Sequence, residues 1–311
     1  MLMTDPIVNV SGLTHCIGGR AVVDGVSFSV APGEVFALVG PNGAGKTTLM
    51  RMLLGMLEPT RGSASLFGCS CLALTPRVRA QIGYLVEGHP LYGWMYIRQL
   101  AELTRETHPR WNGRRFRASL DYFGLEERRQ VQSLSNGQRA QVSLALTLAC
   151  DPDLLVMDDP ALGIDSAARR DFLRSIVDLV TREGRAVIMS THVLADIERV
   201  ADRIGVMVEG KLRVDAPLET FKSSVVKYHL TFADTPPAAL HVPRSVNVNV
   251  VNADVEITVV HPGPDTARAL DELGAIRWEQ VPMSLEDAFV DYTAGRERRT
   301  RFDATAFTVG P

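Results

Sequence analysis

Residues 40–48 form a glycine-rich stretch that reads Gly40-Pro41-Asn42-Gly43-Ala44-Gly45-Lys46-Thr47-Thr48. It follows the apolar run Val35–Val39 and precedes a helical pattern that begins near Lys46, which is the strand–loop–helix context that G-x-x-x-x-G-K-[ST] requires. Its three glycines let the backbone wrap around phosphate oxygens with the N–H groups pointing inward, and the helix N-terminus adds partial positive charge. The stretch therefore predicts a phosphate-binding loop whose nine residues hold a nucleotide. Lys46 would reach the β- and γ-phosphates, and Thr47 would bind Mg²⁺.

A pair of acids marks the other half of the predicted site. The apolar run Leu154–Met157 ends in Asp158-Asp159-Pro160, which places two carboxylates at the carboxyl edge of a strand, where ligands bind in open α/β sheets. We expect Asp158 to hold Mg²⁺ through water and Asp159 to orient the water that attacks the phosphate. An acidic turn that only caps a buried strand is the competing interpretation, and the phosphate loop upstream weighs against it.

Strand-like runs alternate with helical patterns up to about residue 215. Several of the runs are almost wholly apolar, which is typical of strands covered on both faces, and this predicts an α/β fold with a mainly parallel sheet and flanking helices. Glycines at 12, 18, 19 and 25 punctuate the opening runs at hairpin-like spacing and predict a small antiparallel sheet beside the parallel one. The predicted strands are Ile7–Val10, Val26–Val30, Val35–Val39, Ile82–Leu85, Leu154–Met157, Ala186–Ser190 and Ile204–Val208.

Three segments depart from this alternation. Residues 92–132 carry apolar side chains at helical spacing, which predicts a helical insertion at about 90–150 within a domain of residues 1–220. Residues 221–295 combine alternating strand patterns with helical ones, and they predict a small C-terminal α+β accessory domain. The composition of residues 296–311 predicts a flexible tail.

The composition excludes several classes of protein. A formal charge of −3 over 311 residues gives no reason to expect a nucleic acid as partner. No apolar run approaches the roughly 20 residues that span a bilayer, and the first ten residues lack a secretory pattern. The four cysteines, Cys16, Cys69, Cys71 and Cys150, lack the paired spacing of a zinc site, so we interpret them as free thiols in a reducing compartment.

A third motif, Leu134-Ser-Asn-Gly-Gln138, opens a helical run shortly before the acidic strand. With it the sequence resembles the nucleotide-binding domains of ABC transporters, whose signature reads Leu-Ser-Gly-Gly-Gln in that place. The motifs follow the order of the family over about residues 7–215: phosphate loop, glutamine-loop region, helical insertion, signature, Walker B strand, a D-loop-like segment at Ala161–Asp165 and a histidine loop at 190–192. The resemblance implies the P-loop NTPase fold and an ATPase that uses ATP and Mg²⁺.

The resemblance also implies how the site is completed. In the family, two ATPase domains meet head to tail, and the signature of one closes over the nucleotide on the phosphate loop of the other. Ser135, Gly137 and Gln138 would then contact the nucleotide of a second copy in a homodimer, and His192 would sense the γ-phosphate. The other partner implied is a separate integral membrane permease. It would place the protein in the cytoplasm, peripherally on the inner face of the cell membrane.

Three positions depart from the family pattern. Asp159 stands where the family usually has Glu, which retracts the carboxylate by roughly 1.5 Å and predicts slow hydrolysis. Glu87 takes the glutamine-loop position, where a carboxylate still ligates Mg²⁺. With Asp159 and His192, Glu87 would form the set of catalytic residues. Ile17 falls where an aromatic ring usually stacks on adenine. A weakly hydrolysing or non-hydrolysing ATP-gated regulatory module is therefore the alternative to a working ATPase.

Two further segments bear on the partner and on the direction of transport. Leu91, Tyr92, Trp94 and Met95 form an apolar, aromatic cluster after the glutamine-loop region, where the family receives a short helix of the membrane subunit. Packing of this cluster in the protein core is an equally strong interpretation. Ser284–Thr293 resembles the closing segment of ABC-2 exporter ATPases, which favours an exporter over a binding-protein-dependent importer.

Overall fold

The structure is a computed structural model that describes residues 5–179, 185–191, 193–198 and 200–294. The predicted sensor His192 and the predicted tail at 296–311 lie outside the described residues. The chain divides after Leu212 into two compact units. No helix within the described ranges is long and apolar enough to cross a membrane.

The first unit alternates strands with helices. Its strands are β1 (Val8–Ile17), β2 (Arg20–Val30), β3 (Val35–Val39), β4 (Arg61–Leu66), β5 (Cys69–Ser70), β6 (Ile82–Leu85), β7 (Leu154–Asp158), β8 (Ala186–Thr191) and β9 (Arg203–Val208). Its helices are α1 (Lys46–Leu53), α2 (Pro76–Arg79), α3 (Ile97–Thr107), α4 (Gly113–Phe123), α5 (Asn136–Ala149), α6 (Ser166–Leu179) and α7 (Leu194–Ile197). Strand β10 (Lys211–Pro217) carries the chain into the second unit.

A six-stranded sheet has the order β10-β9-β3-β8-β7-β6. Its strands β3, β6, β7, β8 and β9 pair in parallel, and every residue of β3, β7 and β8 is buried. This confirms the prediction of a mainly parallel sheet, because strands covered on both faces are apolar throughout. The carboxyl ends of parallel strands share one edge, so the loop after β3 and the acids at the end of β7 meet there.

A second sheet is antiparallel, as the glycine spacing predicts, with the order β2-β1-β4-β5. Gly18 and Gly19 form the turn between β1 and β2. Gly12 and Gly25 lie inside these strands, so the prediction of short opening strands is wrong. Gly12 has a φ of +55° and coincides with a register shift between β1 and β2. A β-bulge of this kind accommodates one residue in the left-handed conformation without ending the strand.

One hydrophobic core joins the two sheets of the first unit. Phe28 of β2 stacks on Phe36 of β3 with ring centroids 4.9 Å apart, and Leu49 and Met50 of α1 belong to the same core. Helix α1 contacts strands of both sheets. Its first residue, Lys46, is therefore fixed at the edge of the parallel sheet by packing further along the helix.

The predicted helical insertion is confirmed between β6 and β7. Asn112 caps the start of α4 by accepting hydrogen bonds from two backbone N–H groups, and Gly124 ends the helix in the left-handed conformation. The helices α3, α4 and α5 share a core formed by Ile97, Leu100, Ala101, Phe116, Leu120, Leu125, Val131, Leu134, Val142, Ala145, Leu146 and Ala149. This core fixes the position of the signature, because the signature opens α5.

The second unit has the predicted α+β arrangement. Its elements are α8 (Leu218–Ser224), β11 (Val225–Thr231), β12 (Ser245–Val251), β13 (Asp254–Val260), α9 (Pro264–Glu272), β14 (Arg277–Val281) and α10 (Leu285–Ala294). The strands form an antiparallel sheet in the order β12-β13-β11-β14. Buried Asp291 of α10 accepts hydrogen bonds from Thr258 at 2.6 Å and Asn247 at 2.8 Å, which ties the last helix to the sheet.

Candidate functional site

Close backbone contacts require two of the glycines in the phosphate loop. A Cβ at Gly40 would lie 2.3 Å from the carbonyl oxygen of Met207, and one at Gly45 would lie 2.5 Å from that of Val22. Gly45 is also the N-cap of α1 and has a φ of +100°. The loop therefore rests directly on neighbouring backbone. This contact holds the N-terminus of α1, an end that attracts anions, at the edge of the sheet.

Lys46 lies against the loop that precedes it. Its Nζ donates hydrogen bonds to the carbonyl oxygens of the first two loop residues, at 2.7 and 3.1 Å. Burial lowers the pKa of Lys46 below its usual value, and the nearby carboxylates of Asp159, Asp158 and Glu87 oppose that shift. The predicted phosphate-binding cation thus shares its surroundings with the three predicted acids.

Two hydroxyl groups hold Asp158 in place. Thr47 Oγ1 donates to Asp158 Oδ1 at 3.1 Å, and Ser190 Oγ donates to the same oxygen at 2.7 Å. Asp158 is 3% exposed and pairs with Ser190 between β7 and β8. The sequence motifs assign no contact to Ser190. The sequence signal that could have predicted this contact is the position of Ser190 at the end of its strand. Parallel pairing of β7 with β8 places its hydroxyl beside the acid at the end of the neighbouring strand.

Asp159 follows directly and takes a left-handed backbone conformation, with a φ of +42°. Its N–H donates to Ser190, with distances of 3.0 Å to Oγ and 3.2 Å to the carbonyl oxygen. Asp and Asn adopt this conformation more readily than Glu, so the backbone itself favours an aspartate here. The acid that departs from the family pattern therefore fits its local geometry.

The phosphate loop, Glu87 and the two strand-end acids line one open cleft of about 330 Å³. The lining residues are Asn42, Gly43, Ala44, Lys46, Thr47, Glu87, Asp158, Asp159, Leu162 and Ser190. Leu162 belongs to the D-loop-like segment and has no predicted role. The oxygen atoms of Thr47, Glu87 and Asp158 are the hard ligands that Mg²⁺ prefers, so the donor set of the cleft fits this metal.

The signature residues are not among the described residues that line this cleft, and they form the start of α5. Ser135 Oγ accepts from the N–H of Gln138 at 3.2 Å, and Gln138 Oε1 accepts from the N–H of Ser135 at 3.2 Å. Arg129 also donates to Gln138 at 3.3 Å, and Asn136 donates to the carbonyl oxygen of Gly163 at 3.1 Å. This reciprocal capping box fixes the helix start. Ser135 and Asn136 are exposed, so the helix start is open to a second molecule.

The predicted adenine position carries an aliphatic side chain. Ile17 ends β1 and is 59% exposed. The nearby His15 has its ring Nδ1 3.0 Å from the carbonyl oxygen of Glu58, so its imidazole is engaged with its own unit. An adenine ring would therefore meet a methyl-rich surface at Ile17 and lose the stacking that an aromatic ring provides.

These features together define a class of protein. A glycine-rich loop leads into a helix, and its lysine and threonine lie beside the acidic end of a parallel strand in the same sheet. This is the arrangement of a P-loop nucleoside triphosphatase.

Comparisons with known proteins identify the family within that class. The sequence pattern of the ABC transporter family matches residues 23–162. The chain is 32% identical to Nod factor export ATP-binding protein I of Paraburkholderia xenovorans (strain LB400), and the alignment covers 95% of this chain and 99% of that protein. It is 29% identical to the ABC transporter ATP-binding protein YtrB of Bacillus subtilis (strain 168), covering 94% of this chain and 100% of that protein.

Comparison with solved structures indicates the same family. The structure of an ATP-binding subunit of an ABC transporter matches with a TM-score of 0.63 at 27% identity, covering 70% of this chain and 92% of that one. The chain therefore belongs to the family of ABC transporter ATP-binding proteins. It is an ATP-binding subunit of an ABC transporter and an ATPase, because the ATP-binding domains of this family hydrolyse ATP.

Proposed function

We propose that the chain powers an exporter by binding Mg-ATP between two copies of itself and hydrolysing it, with a separate integral membrane permease as partner. The observation that carries this proposal is the division of the site. The phosphate loop and the acids share one cleft, while the signature at the start of α5, where Ser135 and Asn136 are exposed, is not among the described residues that line it. A signature in this position is available to the cleft of a second copy, which makes a head-to-tail homodimer the simplest assembly.

Each side chain of the cleft has a chemical role in this proposal. Lys46 and the N–H groups of the phosphate loop compensate charge on the β- and γ-phosphates. Thr47, Asp158 and Glu87 hold Mg²⁺, which neutralises further phosphate charge when it is bound. Asp159 orients the attacking water and accepts its proton.

The second copy completes the site at the γ-phosphate. Ser135 and the amide of Gly137 bind the γ-phosphate at the N-terminus of α5, where partial positive charge favours an anion. Gln138 maintains that geometry through the capping box. His192, which lies outside the described residues, is assigned the role of a hydrogen-bonding sensor of the γ-phosphate. Bound ATP then stabilises the pair, and its hydrolysis releases it.

Export and membrane location complete the proposal. Relatives named for Nod factor export and the resemblance of Ser284–Thr293 to the closing segment of ABC-2 exporter ATPases support export. The predicted domains remain proposals: an ATPase domain of residues 1–220, with the helical insertion at about 90–150, and an accessory domain of residues 221–295, whose boundary lies eight residues after the division at Leu212. Binding to the permease places the chain on the cytoplasmic face of the cell membrane.

Two exposed aromatic side chains form the proposed contact with the permease. Tyr92 and Trp94 are 58% and 67% exposed, and their ring centroids lie 6.1 Å apart. Leu91 and Met95 pack instead against the core of the helical insertion. The predicted cluster thus divides into a partly buried pair that anchors the segment and an exposed pair that suits an apolar partner helix.

Trp94→Ala is expected to release the chain from membranes without unfolding it. In cells that carry the permease, we expect most of the wild-type chain in the membrane fraction and most of the variant in the supernatant, because a large apolar contact is lost. Tyr122→Ala removes another exposed aromatic ring and is the matched control, which should stay with the membranes. Cell fractionation, compared for chains that bind ATP equally well, checks this prediction. Unfolding of Trp94→Ala, or undiminished membrane association, would contradict docking at this surface.

A further inference from the structure

A buried histidine links the Glu87 loop to the acidic strand end. His89 is 4% exposed, and its Nε2 lies 2.8 Å from the carbonyl oxygen of Pro160. A carbonyl oxygen only accepts hydrogen bonds, so Nε2 carries a proton and donates here. Pro160 follows Asp159 directly. The hydrogen bond therefore ends one residue away from the proposed water-orienting acid.

The imidazole ring is also fixed by its own loop and by a helix. The N–H of His89 donates to the carbonyl oxygen of Val86 at 3.2 Å, which closes a tight turn around Glu87. The φ of His89 is +46°, a left-handed conformation that histidine adopts more readily than most residues. The ring meets Phe172 of α6 edge-on, with centroids 6.0 Å apart. Backbone strain of this kind is retained where the position of the side chain matters.

The turn after Asp159 is held by three contacts, one of them within the turn and two from other segments. Proline has no N–H, so its carbonyl oxygen is the only backbone polar group that Pro160 offers. The N–H of Asp159 donates to Ser190 of β8, and its carbonyl oxygen accepts from the N–H of Leu162 at 3.1 Å. His89 supplies the third contact, and it comes from the same turn that carries Glu87.

We propose that His89 is a positioning residue for ATP hydrolysis, whose hydrogen bond to Pro160 holds Asp159 and Glu87 in their relative positions. The proposal rests on the proposed function of these two acids and adds the residue that connects them. His89 is not among the described residues that line the cleft, so it acts on the acids through the backbone. Loss of this hydrogen bond slows the chemical step. It leaves nucleotide binding, which depends on the phosphate loop, unchanged.

Two substitutions separate the hydrogen bond from the backbone conformation. In His89→Gln the amide nitrogen falls near the place of Nε2 and still donates to Pro160. In His89→Asn the shorter side chain brings its amide only to the place of Nδ1. Asparagine, however, adopts a left-handed backbone more readily than glutamine. A role of the hydrogen bond and a role of the backbone alone therefore predict opposite orders of activity for these two variants.

We expect His89→Asn to lower kcat by roughly 10- to 100-fold with KM for ATP within about twofold of wild type, because misplacing a catalytic group by near 1 Å has an effect of this size. His89→Gln should keep kcat within about threefold of wild type. His241→Asn, at an exposed histidine of the second unit, is the matched control and should not change turnover. Wild-type kcat in His89→Asn would overturn the proposal. Lower kcat in His89→Gln than in His89→Asn would do the same.

Thermal melting shows whether each variant is folded at the assay temperature. If His89→Asn does not fold, His89→Phe takes its place, since it keeps a ring against Phe172 without a donor and should show the same loss of kcat. Lys46→Ala, measured in parallel, separates this proposal from the proposed function. Turnover that does not depend on Lys46 contradicts the site itself. Lys46-dependent turnover that survives loss of the His89 donor contradicts the role of His89 alone.

Discussion

Lys46→Ala is expected to lower ATP turnover by roughly 10²- to 10³-fold, the size of effect that follows removal of one charge-stabilising donor from a catalytic site. Lys46 shares its surroundings with the carboxylates of Asp159, Asp158 and Glu87. Without its charge, the repulsion between these acids and the triphosphate is less well compensated. Both nucleotide affinity and the stability of the transition state should therefore fall.

Steady-state phosphate release by the purified chain, at saturating and at limiting ATP, measures both effects. Lys211→Ala is the matched control, because Lys211 forms an exposed ion pair with Asp24 at 3.2 Å and is not among the residues described as lining the cleft. A surface pair of this kind contributes at most about 1 kcal/mol, so turnover should not change. Turnover by Lys46→Ala above about one tenth of the wild-type rate would contradict the assigned phosphate loop.

Asp159→Asn is expected to lower turnover by at least about 10²-fold while Mg-ATP binding stays intact. The amide neither accepts the proton of the attacking water nor carries the charge that orients it. Asparagine tolerates a φ of +42° at least as well as aspartate, so the substitution changes the chemistry and leaves the backbone alone. Phosphate release together with equilibrium binding of a fluorescent ATP analogue distinguishes a lost catalytic step from lost binding.

Asp159→Glu tests the same acid in the opposite direction. The extra methylene extends the carboxylate by roughly 1.5 Å, so we expect turnover to rise. Glutamate is less favourable than aspartate in the left-handed conformation, so the free energy of unfolding of this variant should be lower by about 1 kcal/mol. Wild-type turnover in Asp159→Asn would contradict the assigned role. Tight Mg-ATP binding without turnover in the wild-type chain would favour an ATP-gated regulatory module.

The centre of the parallel sheet is predictable from sequence because its strands β3, β7 and β8 are buried on both faces. β3 and β6 begin and end at the residues that the apolar runs predict. Strands with polar sequences are not predictable in this way, as β4 with Arg-Gly-Ser-Ala-Ser-Leu and β14 with Arg-Trp-Glu-Gln-Val demonstrate. Both form by pairing with a strand distant in sequence, β4 with β1 and β14 with β11. Local composition does not encode such pairing.

The residues of the candidate site also divide into those that the sequence predicts and those that it does not. The phosphate loop is readable because its glycines, lysine and threonine act through one contiguous strand–loop–helix unit. Ser190 matters through its contact with Asp158 across two strands, and Arg129 through its contact with Gln138. The hydrogen bond of His89 joins positions 71 residues apart. Motifs can be recognised in a single sequence, whereas the contacts between distant motifs can be identified only in the folded structure.

ATP hydrolysis at a site completed by a second copy predicts that two inactive variants restore activity when they are mixed. Ser135→Asp keeps a good N-cap for α5 but places a carboxylate against the γ-phosphate of the other copy. Lys46→Ala removes the cation of the phosphate loop. Each variant alone should be nearly inactive.

In a mixed head-to-tail pair, one site combines an intact phosphate loop with an intact signature. Half of the pairs in an equimolar mixture are mixed, so phosphate release should recover to about a quarter of the wild-type rate. Wild-type turnover by Ser135→Asp alone would contradict such a shared site, because the signature would then have no part in it. A mixture no more active than its two components would contradict it equally.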